Sequence, residues 1–219
     1  MFGLPKSTEF NKRIPKQKFY ENISVTSALK KSFVEQVKTI VWKNKLAPAT
    51  LNVAGGQIVQ ELQIFEVRLN QMMIDENILR QIDKAISYHI LYLLEYEGKY
   101  QACIAYKEIS ESGISGLKEN QYYHTEWSIE EKLSLRLDGL GLDDIYSSYV
   151  RQIAGSQLQV CESGESIKKS VERSQKKAKL EKQIKSLEGK ICREKQLNRK
   201  MQWNAELKRL KIEWEEMDS

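Results

Sequence analysis

Apolar positions near the start of the chain follow a helical period. Between residues 27 and 44, five of them fall on one face of a helix: Leu29, Phe33, Val37, Ile40 and Val41. Thr26 precedes this segment and is a suitable N-cap residue. The pattern predicts an amphipathic helix of about five turns, in a region that ends at Pro48.

Strand-type patterns follow. Runs rich in β-branched and aromatic residues predict strands at residues 50–53, 58–70 and 122–127. Residues 88–108 contain the clearest hairpin, because two β-rich runs meet at Glu97 and Gly98.

Two more helices alternate with these strands. Isoleucines four residues apart predict a helix over residues 73–87. Asp143 or Asp144 is placed to cap a helix that runs to Ala154, and Gly155 is placed to end it. The order helix–strand–strand–helix–hairpin predicts an α+β fold built on a mixed α/β sheet.

The composition divides the chain into four segments. We predict a basic N-terminal arm at residues 1–22, the mixed α/β domain at 23–155, a polar glycine-bearing hinge at 156–165, and a basic helical or coiled-coil segment at 166–219. The arm contains two of the three prolines and is expected to be extended.

The last segment has two apolar stripes at coiled-coil spacing. The first stripe is Leu180, Ile184, Leu187 and Ile191, and the second is Trp203, Leu207, Leu210, Trp214 and Met217. At about 100° per residue, the stripes lie on opposite sides of one helix. A uniform dimeric coiled coil keeps a single seam, so the switch predicts two different contacts. The sequence is compatible with a continuous helix, a helical hairpin and a coiled coil.

The second stripe contains the candidate partner-binding residues Trp203, Leu207, Leu210 and Trp214. Aromatic residues at this spacing serve as anchors in protein grooves. The alternative is that they belong to the chain's own core.

Charge is unevenly distributed along the chain. Residues 1–45 hold 10 Lys/Arg and 3 Glu, and residues 166–219 hold 16 Lys/Arg and 9 Asp/Glu, so each end carries +7. Residues 46–165 hold 9 Lys/Arg and 18 Asp/Glu, giving −9. Basic ends attract nucleic acid, although a solvated lysine-rich helix explains them equally well.

Other features indicate a soluble cytoplasmic protein. No apolar run approaches the roughly 20 residues of a membrane span, and the N-terminus lacks the apolar core of a signal peptide. The three cysteines are far apart, which favours a reducing compartment over a disulfide or zinc framework. We expect no cofactor, no metal and no membrane partner.

One pattern is compatible with catalysis. Restriction-type nucleases hold a metal with an Asp on one strand and a Glu-x-Lys on the next. Here Glu66-Val67-Arg68 lies on a suitable strand, and Glu61 is nearby, but Arg replaces Lys and no Asp occurs from 46 to 74. Arginine is a poor substitute because it is always charged. Glu61, Glu66 and Arg68 are therefore weak catalytic candidates.

Five polar residues are candidates for contacts with nucleic acid. Lysines provide charge and neutral side chains provide hydrogen bonds to phosphate. The candidates are Lys16, Lys18, Lys45, Thr50 and Asn52. For each of them the alternative is a solvated lysine or a polar group that stabilises a turn.

Several segments together resemble a known family. They are IPKQKFYE (14–21), FVEQVKTIVWKNKLAPATLNV (33–53), LQIFEVRL (62–69), ILRQIDKAISYHILYLLEY (78–96), YYHTEW (122–127), GLDDIYSSYVRQI (141–153) and the tail LNRKMQWNAELKRLKIEWEEM. The chain resembles the bacterial and archaeal family of domain of unknown function 4391. The resemblance implies a gene neighbourhood of superfamily 2 helicases and DNA methyltransferases, in restriction-modification or anti-phage defence loci. It implies no catalytic residue.

Three hypotheses follow. The first is a non-catalytic accessory or adaptor subunit that binds a helicase or DNA methyltransferase partner and contacts DNA or RNA. The second is a divergent metal-dependent nuclease with an incomplete active site. The third is a protein whose basic helix makes homo-oligomers.

Overall fold

The computed structural model describes residues 3–21, 25–109, 117–129, 133–158 and 165–217, with backbone alone at 109 and 117–120. The chain divides into two compact units, Met1–Ala154 and Gly155–Ser219.

In its described part, the first unit is built on a seven-stranded sheet. The strands are β1 (Glu9–Ile14), β2 (Val37–Leu46), β3 (Leu62–Leu69), β4 (His89–Tyr96), β5 (Lys99–Ile109), β6 (Leu117–His124) and β7 (Ser128–Ile129). They are ordered β1 to β6 across the sheet, and β7 pairs with β5. The β3–β4 pair is parallel and the other pairs are antiparallel. The predicted mixed sheet is confirmed.

Four α-helices accompany the sheet in the described part of this unit. They are α1 (Ser27–Gln36), α2 (Pro48–Leu51), α3 (Glu76–Ala85) and α4 (Leu142–Ala154). The parallel β3–β4 pair requires a crossover, and α3 provides it. One core cluster joins α1 and α3 to the sheet through Phe33, Ile78, Ile82, Phe65 and Tyr92.

The five-turn helix predicted over residues 27–44 is wrong in its second half. Helix α1 ends at Gln36, and β2 begins at Val37, whose backbone is already extended. Val37, Ile40 and Val41 suit a strand as well as a helix, because β-branched residues favour extended backbone. Pairing with strands on both sides then decides the conformation.

The strand predicted at residues 50–53 is also wrong. That segment overlaps α2, whose first residue is Pro48. Proline suits this position because the N–H of a first helical residue has no partner within the helix, so nothing is lost when it is absent. The Thr50 hydroxyl accepts a hydrogen bond from the Ala47 amide at 2.9 Å. Asn52 ends the helix in a left-handed conformation with φ 55°.

Other predicted elements are confirmed with shifted ends. The strand of residues 58–70 corresponds to β3, and the helix of 73–87 corresponds to α3. The hairpin turn lies at Glu97 and Gly98, both with positive φ. The segment predicted as an extended arm contains strand β1. This strand is extended, but it belongs to the sheet because it pairs with β2.

Helix α4 starts at Leu142, two residues earlier than a cap at Asp143 would place it. Asp143 therefore lies in its first turn, where its carboxylate accepts hydrogen bonds from the amides of Gln57, Ile58 and Val59. A Cβ atom at Gly56 would collide with this carboxylate. Asp143 thus ties the loop before β3 to α4. Gly155 follows the last residue of α4 with φ 51°, as predicted.

The second unit is a helical hairpin of α5 (Ile167–Arg193) and α6 (Leu197–Glu216). Lys176 bonds Glu213 at 3.2 Å and Lys211 bonds Glu188 at 2.7 Å, so the helices are antiparallel. The chain turns at residues 194–196, which explains why the apolar stripe changes sides there. No helix in the described residues has the length and apolarity of a membrane span.

Candidate functional site

Lys16 has a structural contact at the end of α1. Its ammonium group donates hydrogen bonds to the Val37 carbonyl at 2.6 Å and to the Val34 carbonyl at 3.3 Å. Burial lowers the pKa of Lys16. Lys18, two residues later, is exposed. Of these two candidates for phosphate contacts, Lys18 presents its side chain to solvent, and Lys16 compensates the helix carbonyls.

Lys45, Thr50 and Asn52 lie around the turn that follows β2. Lys45 forms an ion pair of 2.6 Å with Glu61, which also accepts a hydrogen bond from the side-chain Nε2 of Gln63 at 2.8 Å. The Thr50 hydroxyl donates to the Lys45 carbonyl at 2.8 Å. These contacts fit the alternative in which the polar groups stabilise a turn.

The weak catalytic candidates Glu66 and Arg68 do lie together on β3. Two residues apart on a strand, they share one face of the sheet. Glu66 Oε1 is 2.8 Å from Arg68 Nε, and Glu66 Oε2 is 3.4 Å from Lys43 Nζ. The Glu66 side chain is 4% exposed, whereas Arg68 is 52% exposed. Glu95 on β4 completes the group, 3.8 Å from Arg68 Nε.

This arrangement is electrostatically balanced, with two carboxylates and two cations. A hydrogen bond from Arg68 to Glu66 raises the pKa of the guanidinium, and the Glu66 charge adds to the effect. Both oxygens of Glu66 already face a positive group, so a divalent cation would have to displace one of them.

Glu61 does not converge with Glu66. Its partner Gln63 is three residues from Glu66 on an extended strand, and therefore on the opposite face of the sheet. Among the residues that the structure describes, no group of three or more His, Cys, Asp or Glu side chains could hold a metal ion.

A buried polar network that sequence reasoning missed links α3 to β5. Lys107 Nζ is 2.7 Å from Asp83 Oδ1 and donates to the Tyr88 carbonyl at 2.9 Å. The Tyr122 hydroxyl donates to the other Asp83 oxygen. Burial raises the pKa of Asp83, and the Lys107 charge opposes that rise. The network is closed to solvent, which indicates a structural role.

His89 adjoins this network on β4. Its ring lies 4.4 Å from that of Tyr146, whose hydroxyl accepts from the Lys107 amide and donates to the Ala105 carbonyl. Burial, with a smaller contribution from the Lys107 charge, lowers the pKa of His89 to about 3. His89 is therefore neutral at physiological pH. This buried position indicates a structural role for His89.

The candidate partner-binding residues lie on α6. Trp203, Leu207, Leu210 and Trp214 are all half-buried. Lys177 on α5 lies 4.5 Å above the Trp214 ring, a cation–π contact within the hairpin. Leu210 lines a groove together with Leu187 of α5. The stripe therefore supplies part of the contact between α6 and α5.

The same groove carries a concentration of positive charge. We call it the basic groove and define it by four exposed cations, Lys179, Lys182 and Lys190 on α5 and Arg209 on α6. Gln183 and Ser186 also line it. The lysine excess of residues 168–200 was visible in the sequence, but the contribution of Arg209 depends on the hairpin.

Comparison with protein families identifies the chain. The family described as domain of unknown function (DUF4391) matches residues 2–213. The chain belongs to the DUF4391 family. The match spans both units of this DUF4391 protein, the sheet and nearly all of the hairpin. Comparisons with curated proteins and with solved structures give no match.

Proposed function

We propose that this DUF4391 protein is a non-catalytic accessory subunit of a helicase–methyltransferase system of the restriction or anti-phage defence type. The α/β unit serves as a scaffold, and the hairpin is the arm that engages the other components. The partners are proposed from the gene neighbourhood that family membership implies. The cytoplasm is the proposed compartment.

The observation that carries this proposal is the position of Glu66. Its carboxylate, the best candidate for a nuclease-type metal ligand, is buried between Lys43 and Arg68. A buried carboxylate between two cations stabilises the sheet. A metal that displaced Lys43 or Arg68 from Glu66 would leave the displaced cation without its counter-charge. This arrangement favours a scaffold over a hydrolytic site.

The hairpin supports the second half of the proposal. Helices α5 and α6 together hold 15 Lys/Arg and 7 Glu, a net charge of +8. A surface of this charge attracts polyanions and acidic protein surfaces. Self-association through the hairpin is the remaining hypothesis, and a mass measurement in solution separates it from an accessory role.

A cleavage assay tests the accessory role against the nuclease alternative. The nuclease hypothesis rests on Glu66 and Arg68, which share a face of β3 as the metal-binding carboxylate and the cationic residue of such sites do. We expect no nicking of supercoiled DNA with Mg²⁺ or Mn²⁺. Nicking that Glu66→Ala abolishes, while Glu61→Ala leaves it intact, would overturn the proposal and establish a metal-dependent nuclease.

A further inference from the structure

The basic groove brings together four cations that have no ion-pair partner within the described helices. Outside the groove, Lys168, Lys185 and Lys211 form ion pairs with Glu172, Glu181 and Glu188. Within the described helices, Lys179, Lys182, Lys190 and Arg209 have no carboxylate at ion-pair distance. Within the same helices Lys169, Arg193, Lys200 and Lys208 also have no carboxylate at ion-pair distance, so the groove brings together half of the hairpin's uncompensated cations.

The cations are arranged in a row. Lys179 and Lys190 are eleven residues apart on one helix, so about 16 Å separates their Cα atoms. Lys182 lies between them, and Arg209 faces them from α6. Along the axis of B-form DNA, that length spans about five phosphates of one strand. The row thus fits several successive phosphates.

The other side chains of the groove indicate which nucleic acid it suits. Gln183 and Ser186 are neutral donors of the kind that bond phosphate oxygens. Among the residues that the structure describes, no aromatic side chain lines the groove, and Lys177 lies over the Trp214 ring. Proteins that bind single strands stack the bases on aromatic rings. Cations with neutral donors and no stacking surface favour the backbone of a duplex.

We propose that the basic groove binds the phosphate backbone of double-stranded DNA, without reading its sequence. The inference rests on the proposed function only in treating the hairpin as the arm of the protein. Phosphates of one strand lie along Lys179, Lys182 and Lys190, and Arg209 contacts the same backbone from α6. Two carboxylates also line the groove: Glu206 weakens the attraction, and Glu213 is paired with Lys176.

Fluorescence anisotropy of the full chain with a labelled 20-base-pair duplex tests the proposal. Four contacts predict a plot of log affinity against log salt with a slope of about −3.6, and an affinity that falls about a hundredfold between 50 and 200 mM salt. Two duplexes of unrelated sequence should bind alike. A single strand of the same length should bind more weakly.

Two triple variants with equal changes in charge locate the contact. Lys179→Gln, Lys182→Gln and Lys190→Gln together should reduce the slope to about −1, because each lost phosphate contact removes about one unit. The control variant combines Lys168→Gln, Lys185→Gln and Lys211→Gln and should keep the original slope. Glutamine and lysine have similar helix propensities, and far-UV circular dichroism checks that both variants fold.

Three results would overturn the proposal. One is the absence of binding at 50 mM salt, and another is an equal loss in both triple variants, which would indicate diffuse charge attraction. The third is a groove variant that keeps its DNA affinity but no longer retains a partner protein, which would make the groove a protein docking surface. These experiments use the purified chain without partner proteins. A failure to bind DNA would therefore not contradict the accessory role, which is tested by identifying the partners.

Discussion

Lys107 and Asp83 form an ion pair that solvent does not reach. Their side chains are 2% and 0% exposed, and 2.7 Å separates Nζ from Oδ1. The pair joins β5 to the helix that crosses between β3 and β4, so it fixes α3 on the sheet.

Asp83→Asn should be strongly destabilising, because it leaves the Lys107 charge buried without a counter-charge. Loss of one partner of a buried pair costs about 3–5 kcal/mol. Urea unfolding measures the change, and the double variant Asp83→Asn/Lys107→Met should recover part of it. If the free energy of unfolding of Asp83→Asn were within about 1 kcal/mol of that of the natural chain, the pair would not be buried.

His89 should make the stability depend on pH. Burial, with a smaller contribution from Lys107, lowers the pKa of His89 to about 3, while Asp143 opposes the shift. Between about pH 6.5 and 3, the unfolded chain therefore binds a proton that the folded chain does not, and the free energy of unfolding falls as the pH falls. We expect a loss of about 2 kcal/mol from this residue between pH 7 and pH 5.

The control for this effect is His89→Gln, since carboxylates elsewhere in the chain also titrate. Urea unfolding of both proteins at pH 7, 6 and 5 isolates the histidine, and the stability difference between them should change with pH. An unchanged difference would mean that His89 is protonated as readily in the folded state as in the unfolded state.

Substitution of Lys16 should lower the stability of the protein, whereas substitution of Lys18 should not. Lys16→Gln removes the hydrogen bonds to the Val34 and Val37 carbonyls and should cost about 1–2 kcal/mol. The exposed Lys18→Gln should change stability by less than about 0.5 kcal/mol. Thermal unfolding compares them. A Lys16 variant with unchanged stability and weakened DNA binding would restore Lys16 as a phosphate contact.

The helical hairpin predicts a short distance between Lys176 and Glu213. A continuous helix would place these positions about 55 Å apart. Packed antiparallel helices, with axes about 8–10 Å apart, bring spin labels there within about 20 Å. Double electron–electron resonance on a Lys176→Cys/Glu213→Cys variant measures the distance. Cys161 and Cys192 are replaced by serine, while Cys103 is buried and is left in place. A dominant distance near 55 Å would contradict the hairpin.

Local signals in the sequence predicted the features that local contacts decide. The β4–β5 turn is an example, because Glu97 and Gly98 adopt the positive φ angles that a tight hairpin needs. The change of side between the two apolar stripes likewise indicated a break in the last segment, but the two stripes contribute to one contact between α5 and α6 and do not make the two different contacts that were predicted. The turn between them has neither proline nor glycine, and Glu194 stabilises it by accepting from the amides of Lys195 and Gln196.

Features that depend on distant contacts were not predictable from pattern alone. The end of α1 at Gln36 depends on sheet pairing and on Lys16, which is twenty-one residues before Val37. Asp83 and Lys107 are twenty-four residues apart on different elements, and neither has a motif that signals the other. The ion pair of Glu66 with Lys43 also becomes apparent only when β2 lies beside β3, and that of Arg68 with Glu95 only when β4 does.

Co-purification from native cells tests the central claim, an accessory role beside a helicase and a methyltransferase, most directly. The tagged chain is expressed at its natural level, and the lysate is treated with nuclease so that shared DNA cannot bridge proteins. We predict that a helicase or a DNA methyltransferase is retained at stoichiometric level, and that the variant with Lys168, Lys185 and Lys211 changed to glutamine retains it too. Recovery of the tagged chain alone, or only with further copies of itself, would contradict the account.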